Sequence, residues 1–109
     1  METLHKLSTL SVHFQLTIYN KLDNRKGVKV DLIRILNALH SLNFIKKHNG
    51  NLPNKKEFMK EMGDFLGIDL TGYDADLSQA FNGGNIQVNI GVFEQMKEFT
   101  KNEVLKKLK

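Results

Sequence analysis

The chain has 109 residues, 40% hydrophobic and 26% charged, which is the balance of one ordinary globular domain rather than a disordered tail. It contains no cysteine, so a disulfide framework and a thiolate metal site are both excluded. Sixteen Lys and Arg against twelve Asp and Glu leave a net charge of +4, compatible with a polyanion partner and equally with plain solubility.

The start, Met1-Glu2-Thr3-Leu4-His5-Lys6, carries an early acid and no apolar run with a small-residue cleavage site, so no signal peptide is expected. No stretch approaches the roughly 18 apolar residues of a membrane span. A cytoplasmic protein with no membrane partner is the expectation.

Leu4 to Leu22 carries two patterns. Leu4, Leu7, Ser11, Phe14, Ile18 and Leu22 recur at helical spacing, while Val12, Phe14, Leu16 and Ile18 alternate with polar residues as in a strand. The absence of Gly, Pro or Asn through residues 2–19 favours the helix. Asp23-Asn24-Arg25-Lys26-Gly27 reads as a turn.

The clearest helix is predicted over 30–45. Leu32, Ile35, Leu36, Leu39 and Leu42 form its apolar face, Ile33 widens it, and Asp31 complements its N-terminus. The run Lys46-Lys47-His48-Asn49-Gly50-Asn51 is expected to end it. A second helix is predicted over 54–66. Asn54 caps it, Glu57 reaches back, and Phe58, Met62, Phe65 and Leu66 face inward, before Gly67 and Ile68 stop it.

A short helix follows from about Gly72 to Phe81, with Thr71, Asp74 and Asp76 capping it and Tyr73, Leu77, Ala80 and Phe81 on one side. Asn82-Gly83-Gly84-Asn85 ends it. Ile86, Val88 and Ile90 alternate with Gln87 and Asn89, which predicts a short strand. The last helix, 91–107, uses Val92, Met96, Phe99 and Leu105, and lysines gather near its C-terminus. The expected architecture is mainly α: one small helical domain, resembling a winged helix or helix-turn-helix, with at most a short β element.

No catalytic constellation emerges. His5, His13, His40 and His48 are scattered, with no pair at the i, i+4 spacing of a shared metal, and His40 reads as a packed or capping residue. Asp69, Asp74 and Asp76 lack the ligand offsets of a calcium loop. Gly83-Gly84 lacks the strand and the Lys-Ser or Lys-Thr of a phosphate loop, and Ser8, Ser11, Ser41 and Ser78 lack a nucleophile-elbow context. The chain is read as a non-enzymatic module with no metal, no cofactor and no evident small-molecule ligand.

The helices at 54–66 and 72–82, separated by a few residues containing Gly67, are compatible with a helix-turn-helix. The basic residues Arg25, Lys26, Lys46, Lys47, Lys55, Lys56 and Lys60 are the candidate phosphate contacts, and Tyr73, Ser78 and Gln79 those nearest bases. Asp74 and Asp76 on the same helix weigh against base readout. Lysine outnumbers arginine fourteen to two, so bidentate guanine clamps are scarce.

Val30-Asp31-Leu32-Ile33-Arg34-Ile35-Leu36-Asn37-Ala38-Leu39-His40-Ser41, with Phe58 and then Phe65-Leu66-Gly67-Ile68-Asp69-Leu70 and Tyr73, resembles the C-terminal region of the RteC family over residues 29–82. That resemblance implies a winged-helix-like, DNA-associated transcription regulator of a mobile genetic element, since RteC proteins control excision of conjugative transposons. Two features depart from the family. Phe81-Asn82-Gly83-Gly84-Asn85-Ile86-Gln87 replaces the arginines and lysines that usually follow the Tyr-containing helix, and the family's larger N-terminal part is not in this sequence. The alternative expectation is a protein-interaction or dimerisation module without DNA binding. Its basis is the apolar character nearly all round Leu4–Tyr19, more than one small core buries.

Overall fold

The structure, a computed structural model, describes residues 20–108. The choice between helix and strand for residues 4–22 falls almost wholly on residues outside that range. Four helices follow: α1 (Val28–Ser41), α2 (Lys55–Phe65), α3 (Tyr73–Gly83) and α4 (Ile86–Lys107). The domain is mainly α, as the sequence predicts, and no described residue lies in a strand.

α1 stops at Ser41, short of the predicted Ile45, because Asn43 takes the left-handed conformation (φ 62°). The amide of Phe44 then donates to the Leu39 carbonyl (3.1 Å) and that of Asn43 to His40 (3.1 Å), closing a Schellman turn. Leu42, expected on the apolar face, lies beyond the last turn and is exposed. The Lys46–Asn51 run forms the connecting loop instead. There Lys47 donates to Asn51 (2.8 Å) and Gly50 to Lys47 (2.9 Å).

α2 starts where its cap dictates. Asn54 Oδ1 accepts from the amides of Lys56 (2.8 Å) and Glu57 (3.3 Å), the bonds an N-cap makes. A return bond from the Glu57 carboxylate is not formed among the described residues. The helix ends in a second Schellman turn, with Gly67 at φ 66° and Ile68 N donating to Gly63 O (2.8 Å). The glycine stop stands where the sequence puts it.

The inward face of α2 is rolled from the predicted one. Phe58, Met59 and Gly63 are buried, Met62 is half-buried and Phe65 is exposed. The cause is Gly63, against whose backbone the Ile68–Leu70 segment lies directly: a Cβ there would meet Ile68 O at 2.5 Å. At about 100° per residue, bringing Gly63 inward also brings Met59 inward and turns Phe65 outward.

The core is small: Ile33 and Leu36 from α1, Phe58 and Met59 from α2, Leu70 from the connection, and Leu77 from α3. Leu32, Leu39, Met62, Ile68 and Tyr73 pack around it. α1 is the hub, packing against each of the other three helices, and α3 also packs against α4.

The predicted strand at Ile86–Ile90 is corrected to helix: these residues are the first turns of α4. The β-branched alternation loses to a cap, because Asn85 Oδ1 accepts from Val88 N (2.8 Å) and starts the helix at once. Asn89 then fixes α4 in place. Its Nδ2 donates to Ala80 O and Asn85 O (3.1 Å each), and its Oδ1 accepts from Arg34 Nε (3.1 Å), tying α3, α4 and α1 together. Arg34 completes the node through Asp31 at 2.7 Å.

Candidate nucleic-acid interface

α1 and α2 form a hairpin closed by residues 42–54, and its closed end and the start of α1 carry different groups of the candidate cations. At the closed end, the His40 Nε2–H donates to the Pro53 carbonyl (2.7 Å), and the His40 ring lies 5.6 Å from that of Phe58. A carbonyl only accepts, so Nε2 carries the proton, and His40 is the packed residue expected. Lys55 Nζ donates to Asn37 Oδ1 (2.7 Å) and reaches Ser41 Oγ (3.5 Å). These bonds hold the last turn of α1 against the first turn of α2, so the loop bearing Lys46, Lys47 and His48 lies beside Lys55 and Lys56.

The acid nearest this end in sequence is the exposed Glu57, in the first turn of α2. From Leu32 to Lys56 the chain carries Arg34, Lys46, Lys47, Lys55 and Lys56 and neither Asp nor Glu. Lys46, Lys47 and Lys56 are exposed and have no ion-pair partner among the described residues. Four lysines thus stand at this end against the single carboxylate of Glu57.

The other candidates sit apart. Arg25 and Lys26 precede the start of α1, roughly 20 Å away along its 14 residues, next to Lys29, which is not one of the candidates. Arg25 pairs with Asp23, and Lys29 lies 4.0 Å from Asp76 of α3. Lys60 pairs with Asp64 at 3.0 Å. Of the seven candidates, Lys46, Lys47 and Lys56 stand unpaired near Lys55, which is held by Asn37; Arg25 and Lys60 are paired elsewhere, and Lys26 lies apart from them without an ion pair among the described residues.

On α3, Ser78 and Gln79 are exposed, as is Asp74, whereas Tyr73 packs at the margin of the core. Two of the three base-proximal candidates are therefore available at the surface. The connection from α2 to α3 spans residues 66–72, longer than the three- or four-residue turn of a helix-turn-helix.

The expected capping of α3 by Thr71, Asp74 and Asp76 is not what forms. The N-cap is Gly72 without a side-chain bond, and Asp69 organises the turn before it. Asp69 Oδ1 accepts from Thr71 Oγ1 (2.6 Å) and Thr71 N (2.9 Å). The hydroxyl bond first, then the amide bond, hold the Asp69 carboxyl below its ordinary 3.8. A depressed folded pKa contributes stability above the unfolded value, and that contribution is lost as pH falls from about 3.8 through the folded pKa. Asp69→Asn should therefore lower stability in the neutral region by that contribution and flatten the acid limb of the thermal-stability profile below that pH. An acid limb identical to the parent's would show that the turn carries no linkage.

Among the described residues no group of three His, Asp or Glu side chains could hold a metal. A shallow cleft of about 460 Å³ between α1 and α4 is lined by Leu22, Leu32, Ile35 and Val92, with Arg25 and Asp31 at its rim. The Asp31 carboxylate there is occupied by Arg34. No described helix is long and apolar enough to cross a membrane.

Sequence reading missed the parts that set this geometry: Asn37 and Ser41, which dock Lys55, and Pro53, which receives His40. The lysines were visible as charges, but which of them stay free depends on contacts 13 to 18 residues apart. No protein-family model, curated protein or solved structure matches the chain.

Proposed function

We propose that the chain is a non-enzymatic regulatory module that associates with double-stranded DNA through the closed end of the α1–α2 hairpin. The carrying observation is the acid-free stretch Leu32–Lys56, which presents Lys46, Lys47 and Lys56 unpaired on one end of the domain. Unpaired ammonium groups release condensed counterions when they meet phosphates, and that gain is independent of base sequence. Lys55 supports this end through Asn37.

The seven-residue connection between α2 and α3 departs from a helix-turn-helix, so the likeness of residues 29–82 to RteC regulators supports DNA association rather than that docking geometry. α3 argues for modest sequence preference. Its exposed Ser78 and Gln79 can reach base edges, but exposed Asp74 opposes the phosphate wall. Backbone contact dominates in this reading, and the regulated target is an element of mobile DNA of the RteC type.

The test is anisotropy of a labelled random duplex with the triple variant Lys46→Glu, Lys47→Glu, Lys56→Glu beside Lys60→Glu. Each phosphate contact contributes about 0.9 to the slope of log K against log salt. The triple variant should lose binding at low salt, while Lys60→Glu, already paired with Asp64, should bind nearly as the parent does. Equal binding by parent and triple variant would end this assignment.

A second reading, an interaction module, rests on a different observation: α4 buries no residue fully, although it is the longest of the described helices.

A further inference from the structure

The closed end of the α1–α2 hairpin carries a second kind of group among its lysines. Leu42, Phe44, Ile45 and Leu52 all lie in the connecting loop and all are exposed, Phe44 the most of these at 69%. Single exposed apolar residues are ordinary, but four between Leu42 and Leu52 make a patch, and such patches are binding surfaces.

Phe44 is also fixed in place. It follows Asn43, whose left-handed conformation turns the chain out of α1, and its amide donates to the Leu39 carbonyl at 3.1 Å. The ring is presented from a closed turn, so little conformational entropy is lost when it is covered. Lys46 and Lys47 follow two and three residues on, within about 7 and 11 Å along the chain. Lys56 stands at the same end, brought there by the Lys55–Asn37 and His40–Pro53 bonds.

The surroundings select what such a ring takes. A planar π-face beside ammonium groups matches a nucleobase and its flanking phosphates: the ring stacks on the base while the lysines meet the backbone. Asn43, His48 and Asn51 are exposed in the same loop, and their side chains supply donors and acceptors for base edges. A lipid surface would satisfy the lysines but leave those amide and imidazole groups unpartnered in its apolar layer. Within an intact duplex both faces of each base are already stacked on neighbours. A base left unpaired by a bulge gives up a face at little cost.

We infer that Phe44 stacks on an unpaired base, so that the closed end of the hairpin takes DNA with a locally unpaired nucleotide in preference to intact duplex. This preference rests on the DNA contact proposed above and names the form of DNA selected.

Two labelled duplexes of one sequence, one intact and one with a single base bulged from one strand, are titrated with the full chain at low salt. The bulged duplex should bind roughly 10-fold more tightly, within the range for one base stacked on an aromatic side chain. Phe44→Leu, which keeps apolar bulk without the ring, should lose that preference and retain the parent's salt dependence, and Phe44→Tyr should keep both. The position is exposed, so thermal unfolding of these variants should match the parent's. Equal binding of the two duplexes by the parent would overturn the stacking and leave the DNA contact standing. Absence of binding to either would remove the contact and the stacking with it. A preference that survives in Phe44→Leu would also overturn it. Phosphatidylserine vesicles are the counter-probe: binding to them in place of the bulged duplex, retained in Phe44→Leu, would assign the patch to a lipid surface and the inference would fall.

Discussion

Gly63→Ala should lose about 1–3 kcal/mol of folding stability, against the helix propensity that favours alanine by up to about 1 kcal/mol. The reason is local and rigid. An alanine Cβ would stand 2.5 Å from Ile68 O and 3.3 Å from Leu70 N, and neither backbone atom can swing away as a side chain could. Relief requires moving the Ile68–Leu70 segment, which carries fully buried Leu70 and leads into α3. Gly91→Ala is the matched contrast, since a Cβ at that position of α4 would have nothing within 4 Å. That change should stabilise slightly. Urea unfolding of the two variants gives the comparison, and a Gly63→Ala midpoint at or above the parent's would refute the close approach of helix and turn.

Met59→Ala should cost roughly 2–5 kcal/mol, the range for a large side chain removed from a packed core. Met59 is 0% exposed and is one of six buried residues in the core. Domains of this kind hold only about 5–15 kcal/mol in total, so the variant should be partly unfolded near physiological temperature. Phe65→Ala tests the same roll of α2 from the other side. Phe65 is 41% exposed, and its loss should be markedly smaller than that of Met59 despite the larger ring. Thermal unfolding followed by circular dichroism ranks the two, and a reversed order would restore the face read from periodicity.

The contrast between Met59 and Phe65 shows where sequence was legible. Periodicity located α1, α2 and α3 because each buries an apolar stripe, and Asn54 and Gly67 marked the ends of α2 through local bonds. It misplaced the roll of α2, because the roll follows from a close approach at Gly63 that only tertiary contact reveals. Ile86–Ile90 read as a strand because β-branched alternation is a weak local preference. Asn85 and Asn89, acting through bonds to Val88, Ala80 and Arg34, override it. The early end of α1 turned on Asn43, a residue that tolerates the left-handed conformation without announcing it.

For the candidate interface, residue types were legible and grouping was not. Arg25, Lys26, Lys46, Lys47, Lys55, Lys56 and Lys60 were all apparent as cations. The grouping of Lys46, Lys47 and Lys56 near one another depends on the contacts of His40 with Pro53 and Lys55 with Asn37, and Lys60 is set apart by its pairing with Asp64. Tyr73 looked available for a base and is engaged by the core.

Titration of the parent chain into a labelled random duplex at two salt concentrations tests the central claim most directly. The expected result is saturable binding at low salt that weakens with a log–log slope of about −2.7, the value for three phosphate contacts at about 0.9 each. No binding at low salt, or binding indifferent to salt, would contradict it.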